Sequence, residues 1–152
     1  MACSGWHLRG SDAQINTSDL DNAVFLSGSR SPSYNTTLSL LKSRGLLSSA
    51  NNDYELILGE ERWQSRTASL STQGLAAETE LSLSLPYRIL QKQPNSQQVD
   101  TLADTRIQLS RSYTADANDI GAKEKEDNEL RNDMSNAAAR AILRRLSLLS
   151  KQ

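Results

Sequence analysis

The side chains best suited to bond-making chemistry stand near the start of the sequence, where Cys3 and His7 lie four residues apart. Each is the only residue of its kind in the chain. A disulfide needs a second cysteine, a zinc site needs more ligands, and a Cys–His pair needs a third group to orient the base. Serines are plentiful, but no spacing singles out a nucleophile, a base and an oxyanion site, and a serine hydrolase would have to rely on His7. Glu78 and Glu80 would share one face of a strand, as paired carboxylates do and as an ordinary solvated face also does. No glycine-rich phosphate loop follows a strand. An enzyme is not expected.

Cys3 has a second kind of chemistry available. A small residue directly before a cysteine, as in Ala2-Cys3, is the end of a bacterial lipoprotein processing site, with the cysteine as first mature residue and acyl acceptor. The charged and apolar parts of a signal peptide do not precede it here, so Met1 and Ala2 read as an expression remnant.

These residues must be positioned by a chain of 152 residues, the size of one domain, and we expect a single domain over residues 3–152 with residues 3–10 as its lipidated leading segment. Seventeen basic and 18 acidic residues give a net charge of −1, which argues against a nucleic-acid partner. Hydrophobic residues reach 37 %, with Ser, Thr, Asn and Gln filling the difference, so the surface should be unusually polar. No stretch approaches the roughly 20 apolar residues that cross a bilayer as a helix.

Asn22–Leu26 forms a short apolar run that stops at Gly28 and reads as a strand. Ser31-Pro32 supplies an N-cap with proline at the first helical position, Tyr34, Leu38 and Leu41 follow helical spacing, and Gly45 is placed to end the helix. From Tyr54 to Tyr113 the period becomes two. Leu81, Leu83, Leu85, Tyr87 and Ile89 alternate with Glu80, Ser82, Ser84, Arg88 and Leu90. Ile107 and Leu109 alternate with Arg106, Gln108 and Ser110, and Leu56 and Leu58 begin a similar strand. Turns at Gln73-Gly74 and Gln93–Ser96 would join three long strands with one dry and one wet face.

The dry face needs a cover. Leu130, Met134, Ala138, Ala141, Ile142, Leu146 and Leu149 recur at helical spacing near the C-terminus, with acidic residues early and arginines late, an order that complements the helix dipole. A basic amphipathic helix can also lie on a membrane, but the sheet needs a partner, so the core role is preferred. The expected fold is α/β, a two-layer sandwich in which two helices pack on one face of a four-stranded mixed sheet, in the order β-α-β-β-β-α. Gly28–Ser33 and Asp116–Gly121 are expected to be mobile connections.

Both ends of the chain together resemble one family. Cys3-Ser4-Gly5-Trp6-His7-Leu8-Arg9 is similar to the mature start of the lipopolysaccharide-assembly lipoproteins of the LptE (RlpB) family, in which Gly-Trp-His-Leu-Arg closely follows a lipidated cysteine; here Ser4 intervenes. The likeness continues through Thr67–Leu70, Gly74 and Ala77-Glu78. It resumes at Ala122-Lys123 and runs through Ala138–Leu146.

The resemblance implies a non-catalytic lipoprotein without a cofactor. It would be anchored through acylated Cys3 on the periplasmic side of the outer membrane, plugging the LptD β-barrel and binding lipopolysaccharide. It also implies basic contacts for lipopolysaccharide near the middle hairpin turn and just before the last helix. Lys123 matches the second position, whereas Thr72, uncharged, occupies the first. Arg66 and Lys125 are the candidate substitutes, although i,i+4 pairing of Lys125 with Glu129 accounts for that lysine equally well. The alternative is a free periplasmic lipoprotein that binds or carries a small amphiphile in a cavity beneath its sheet.

Overall fold

The computed structural model describes residues 24–49, 52–70, 76–93, 95–114 and 120–150. In chain order they form β1 (Val24–Gly28), α1 (Pro32–Ser43), β2 (Tyr54–Leu58), β3 (Arg62–Leu70), β4 (Ala76–Lys92), β5 (Val99–Tyr113) and α2 (Ile120–Leu149). β1 runs parallel to β2, and β2, β3 and β5 all run antiparallel to β4, which makes the sheet mixed. Two helices pack against it, as expected for an α/β sandwich.

The sheet has five strands rather than four, because the first long strand is interrupted. Leu58 pairs with Tyr87 and Arg62 with Ser84, so Gly59, Glu60 and Glu61 oppose only Leu85 and Pro86. Gly59 N donates to the Pro86 carbonyl at 2.8 Å. Pro86 has no N–H to return on that side, and the ladder breaks where the donor is missing. β2 and β3 therefore lie end to end along one edge of β4, with β5 along the other.

The break has a use. Glu61 turns toward α1, where one carboxylate oxygen accepts from Ser33 N at 3.2 Å and the other from Trp63 Nε1 at 2.9 Å. The Ser31 hydroxyl accepts from Tyr34 N at 3.2 Å as the N-cap, with Pro32 beginning the helix. Two orphan N–H groups of the helix start are thereby satisfied. Gly45, at φ +67°, follows the helix end and donates to Lys42 O. Gly28–Ser33, expected to be a mobile connection, is instead fastened: Ser29 N donates to Leu58 O at 2.8 Å and Ser33 is fully buried.

β4 is the spine. At 17 residues it spans roughly 55 Å, and Leu81, Leu83, Leu85, Tyr87 and Ile89 on one face are almost completely buried. Met134, Ala138, Ile142 and Leu146 of α2 close over them, each with no exposed surface. Each such large side chain contributes about 1.5–3 kcal/mol by leaving water. The helical stripe is wider than its spacing indicated, since Ala139, Leu143, Ser135 and Ser147 are buried too. Their small neighbours, with Ser33 and Thr37 of α1, let the two helices approach each other.

Three expectations shift at the ends. The dipole complement of α2 is weaker than its charge order suggests, because the helix begins at Ile120 and carries no acidic residue in its first turn and no basic one in its last. Gly121, expected in a mobile connection, lies within α2. Asn22, Ala23 and the Gln73-Gly74 turn fall outside the described residues, whereas the second turn is present, with Asn95 at φ 63° and Gln93 N bonded to Gln98 O at 3.1 Å.

Candidate functional site

Because side chains alternate along a strand, the sheet presents one face to the helices and the other to solvent. The register fixes which residues share the outer face. Arg62 sits beside Ser84, Gln64 beside Ser82, and Arg66 beside Glu80, while β5 adds Ser110 opposite Ser82 and Arg106 opposite Pro86. Arg62, Gln64, Glu80, Ser82, Arg106 and Ser110 line an open basin of about 480 Å³, with Arg66 at its edge beside Glu80.

Its groups are already hydrogen-bonded to one another. Arg66 holds Glu80 at 2.7 Å, Ser110 Oγ donates to the other carboxylate oxygen at 2.7 Å, and Ser82 and Ser110 hydroxyls lie 3.1 Å apart. The hydrogen bond from Arg66, and after it the one from Ser110, holds the Glu80 carboxyl below its ordinary pKa, and the same contact raises that of Arg66. This pair is ionised at neutral pH. The face is therefore a network of hydroxyl, amide, guanidinium and carboxylate groups that can exchange water for hydrogen bonds with a polar partner at little cost.

A second open region lies on the opposite side, between the far end of the sheet and the start of α2. Ser65, Tyr113, Lys123, Glu124, Asp127 and Asn128 line a groove of about 560 Å³, so one cation shares it with two carboxylates. One wall is braced. Tyr113 Oη donates to Asp127 at 3.3 Å, Arg131 Nε contacts the other oxygen of Asp127 at 2.5 Å, and the Arg131 guanidinium lies 4.9 Å from the centre of the Trp63 ring. Burial, followed by the Asp127 charge, raises the Tyr113 pKa, so its hydroxyl keeps the proton that it donates to Asp127. Lys123 is exposed at the rim and makes no ion pair among the described residues.

The candidate cations are thus not all together. Lys123 faces the groove on the helix side. Arg66 belongs to the outer face, separated from Lys123 by the thickness of the sheet, although its neighbour Ser65 contributes to the groove. Lys125 is exposed and lies 3.8 Å from Glu129, the i,i+4 pairing that its spacing allowed. Cys3, His7 and Thr72 lie outside the described residues. Arg62 and Arg106 were not singled out from the sequence; the signal that could have found them together is the period-two run Arg62, Gln64, Arg66 beside the alternation Arg106, Gln108, Ser110.

Residues 16–146 match the family model for LptE, described as lipopolysaccharide-assembly. Among solved structures the chain is similar to rare lipoprotein B from Shewanella oneidensis, with 25 % identity and a TM-score of 0.70 over 83 % of this chain and 94 % of that one. It is also similar to a minor lipoprotein from Acinetobacter baumannii (19 %, TM-score 0.62, 83 % and 90 % covered) and to lipoprotein B from Nitrosomonas europaea (20 %, TM-score 0.62, 97 % and 94 % covered). At those identities the last two show the fold alone. A search of curated proteins finds no significant match.

Proposed function

The chain belongs to the LptE lipopolysaccharide-assembly family, a non-catalytic lipoprotein family, and from that membership we propose that it plugs the lumen of the LptD β-barrel and binds lipopolysaccharide during assembly into the outer leaflet. The observation that carries this reading is the pairing of a filled core with an open, polar outer sheet face. The lumen of an outer-membrane barrel is polar, so a plug should present hydrogen-bonding groups rather than apolar surface. Arg62, Gln64, Ser82, Arg106 and Ser110 are groups of that kind.

The space between sheet and helices favours a plug over a carrier. Leu83, Leu85, Ile89, Met134, Ile142 and Leu146 are each at most 1 % exposed, so they occupy the volume that a buried amphiphile would need. Acylation of Cys3 would tether the domain on the periplasmic side of the outer membrane.

Lipid A is bisphosphorylated, and a cation at an accessible groove suits it. Lys123 is the cation at the groove, with the Tyr113 hydroxyl and Ser65 beside it as neutral partners. Arg66 and Lys125 remain secondary candidates, each already sharing its charge with a carboxylate. Lys123→Glu is expected to weaken lipopolysaccharide binding by about tenfold and flatten its salt dependence, measured by titration with purified lipopolysaccharide, while thermal unfolding stays unchanged. Unchanged affinity and salt dependence would remove Lys123 from the site.

A further inference from the structure

We propose that the end of the fold where β1 begins and α2 finishes docks on a bilayer surface carrying anionic phospholipid headgroups.

α2 is divided by charge. From Ile120 to Asp133 it carries Glu124, Glu126, Asp127, Glu129 and Asp133 against Lys123, Lys125 and Arg131. From Met134 to the end of the sequence there is no Asp or Glu, while Arg140, Arg144, Arg145 and Lys151 are present. Arg144 and Arg145 are exposed and join no ion pair among the described residues. One turn past Arg144, Leu148 is 55 % exposed. A positive stripe with an apolar side chain beside it is what an interfacial helix face offers to lipid.

The contacts of α2 give its direction. Asp127 meets Tyr113, whose partner on β4 is Thr79, and Arg131 covers Trp63, whose partner is Leu83. Further along, the charge of Arg145 acts on Tyr87. The helix therefore advances with β4 toward Lys92 and finishes near the end where Val24 starts, since Val24 pairs with Tyr54 and Tyr54 with Gln91.

Two further exposed apolar side chains lie at that end, Val99 at 48 % and Phe25 at 39 %, both on the outer face of the sheet, so the contact would be made by the tip of the sandwich rather than by α2 alone. Lys42, at the close of α1, and Lys92 add exposed cations there. Asp53, Glu55 and Asp100 are the carboxylates nearby, and Glu55 and Asp100 are engaged by Ser27 and Gln93.

The segment leading to Cys3 joins at Val24, and its 21 residues reach no more than roughly 70 Å when extended. An acyl chain on Cys3 would hold the domain near the bilayer, and the charge gradient along α2 would turn the acidic start of that helix away from an anionic surface.

The inference takes its orientation from the anchored reading above, but its test does not need the anchor. The full, unacylated chain is sedimented with vesicles of mixed phosphatidylethanolamine and phosphatidylglycerol, and with phosphatidylcholine vesicles as reference. Binding to the anionic vesicles that is lost at high salt is expected. Arg144→Glu should lower the bound fraction about tenfold or more, Leu148→Ser should lower it less, and Arg111→Glu, an exposed position beside Leu81 at the other end of the sheet, should lower it least. Arg144→Gln, with unfolding monitored by circular dichroism, separates charge loss from misfolding. Equal binding to both vesicle types, indifference to salt, or indifference to Arg144→Glu would overturn the proposal. So would an Arg144→Glu chain that keeps vesicle binding but no longer co-purifies with a barrel, since the patch would then be a protein interface. A wild-type chain that binds anionic vesicles but no barrel would overturn the plug reading and leave this one standing.

Discussion

Replacing Cys3 by Ala in the full precursor is expected to shift the protein almost entirely from the membrane fraction to the soluble fraction, when it is expressed without its barrel and membranes are washed at high salt. The size of the effect follows from hydrocarbon transfer. Each buried methylene is worth about 0.8 kcal/mol, a single myristoyl chain binds only reversibly, and a triacylated cysteine provides the several chains that durable attachment needs. Without them the remaining attraction is electrostatic, at the basic end of α2, and salt screens it. The fold should be untouched, because the substitution alters none of the side chains that form the described core from Val24 to Leu146, so the melting temperature of the variant should match that of the parent. Retention of Cys3→Ala in salt-washed membranes would remove the anchor role.

The largest expected effect on stability comes from Gly28→Ala. Gly28 pairs with Leu58 at φ +113°, a conformation that side chains rarely adopt, and a Cβ there would lie 1.9 Å from the Leu58 carbonyl oxygen. Backbone is the obstacle, so no rotamer relieves it. Strain at the positive φ and forced separation of β1 from β2 together should cost about 2–5 kcal/mol, a large share of the 5–15 kcal/mol that holds an ordinary domain. Urea unfolding should show the midpoint fall with little change in slope. Gly45→Ala should cost only about 1 kcal/mol, since nothing lies within 4 Å of a Cβ there and only the conformational preference is lost. Equal stability of Gly28→Ala and the parent would mean that β1 does not pack on β2 as described.

Much of the architecture was legible because its signals are local. Ser31-Pro32 announced the start of α1 and Gly45 its end, the alternating leucines of β4 named their buried face, and the spacing from Leu130 to Leu149 found the helix that covers them. The break between β2 and β3 was not legible, because Gly59–Glu61 look like a continuation of the strand begun at Leu56. What interrupts them is the missing N–H of Pro86, a partner that only the fold brings alongside. For the same reason nothing in the sequence linked Glu61 to the start of α1, or Trp63 to Arg131.

The candidate site was half legible. Lys123 was found through resemblance and does line an accessible groove. Arg66 was paired with it on sequence proximity to the hairpin turn, and that criterion ignores alternation: Ser65 faces the groove, so Arg66 must face the other way. The polar outer face was written in the period-two pattern of Ser, Gln and Arg, but polarity alone does not distinguish a contact surface from a wet one. Membership of the LptE family gives that face a partner to be tested.

The most direct test is extraction of the acylated protein from outer membranes in mild detergent, followed by identification of what co-purifies. The account predicts a stoichiometric β-barrel partner that is lost when Arg62 and Arg106 on the outer face are both changed to Glu, with thermal unfolding of the isolated domain preserved. Recovery of the protein alone, with an amphiphile bound between sheet and helices, would contradict it.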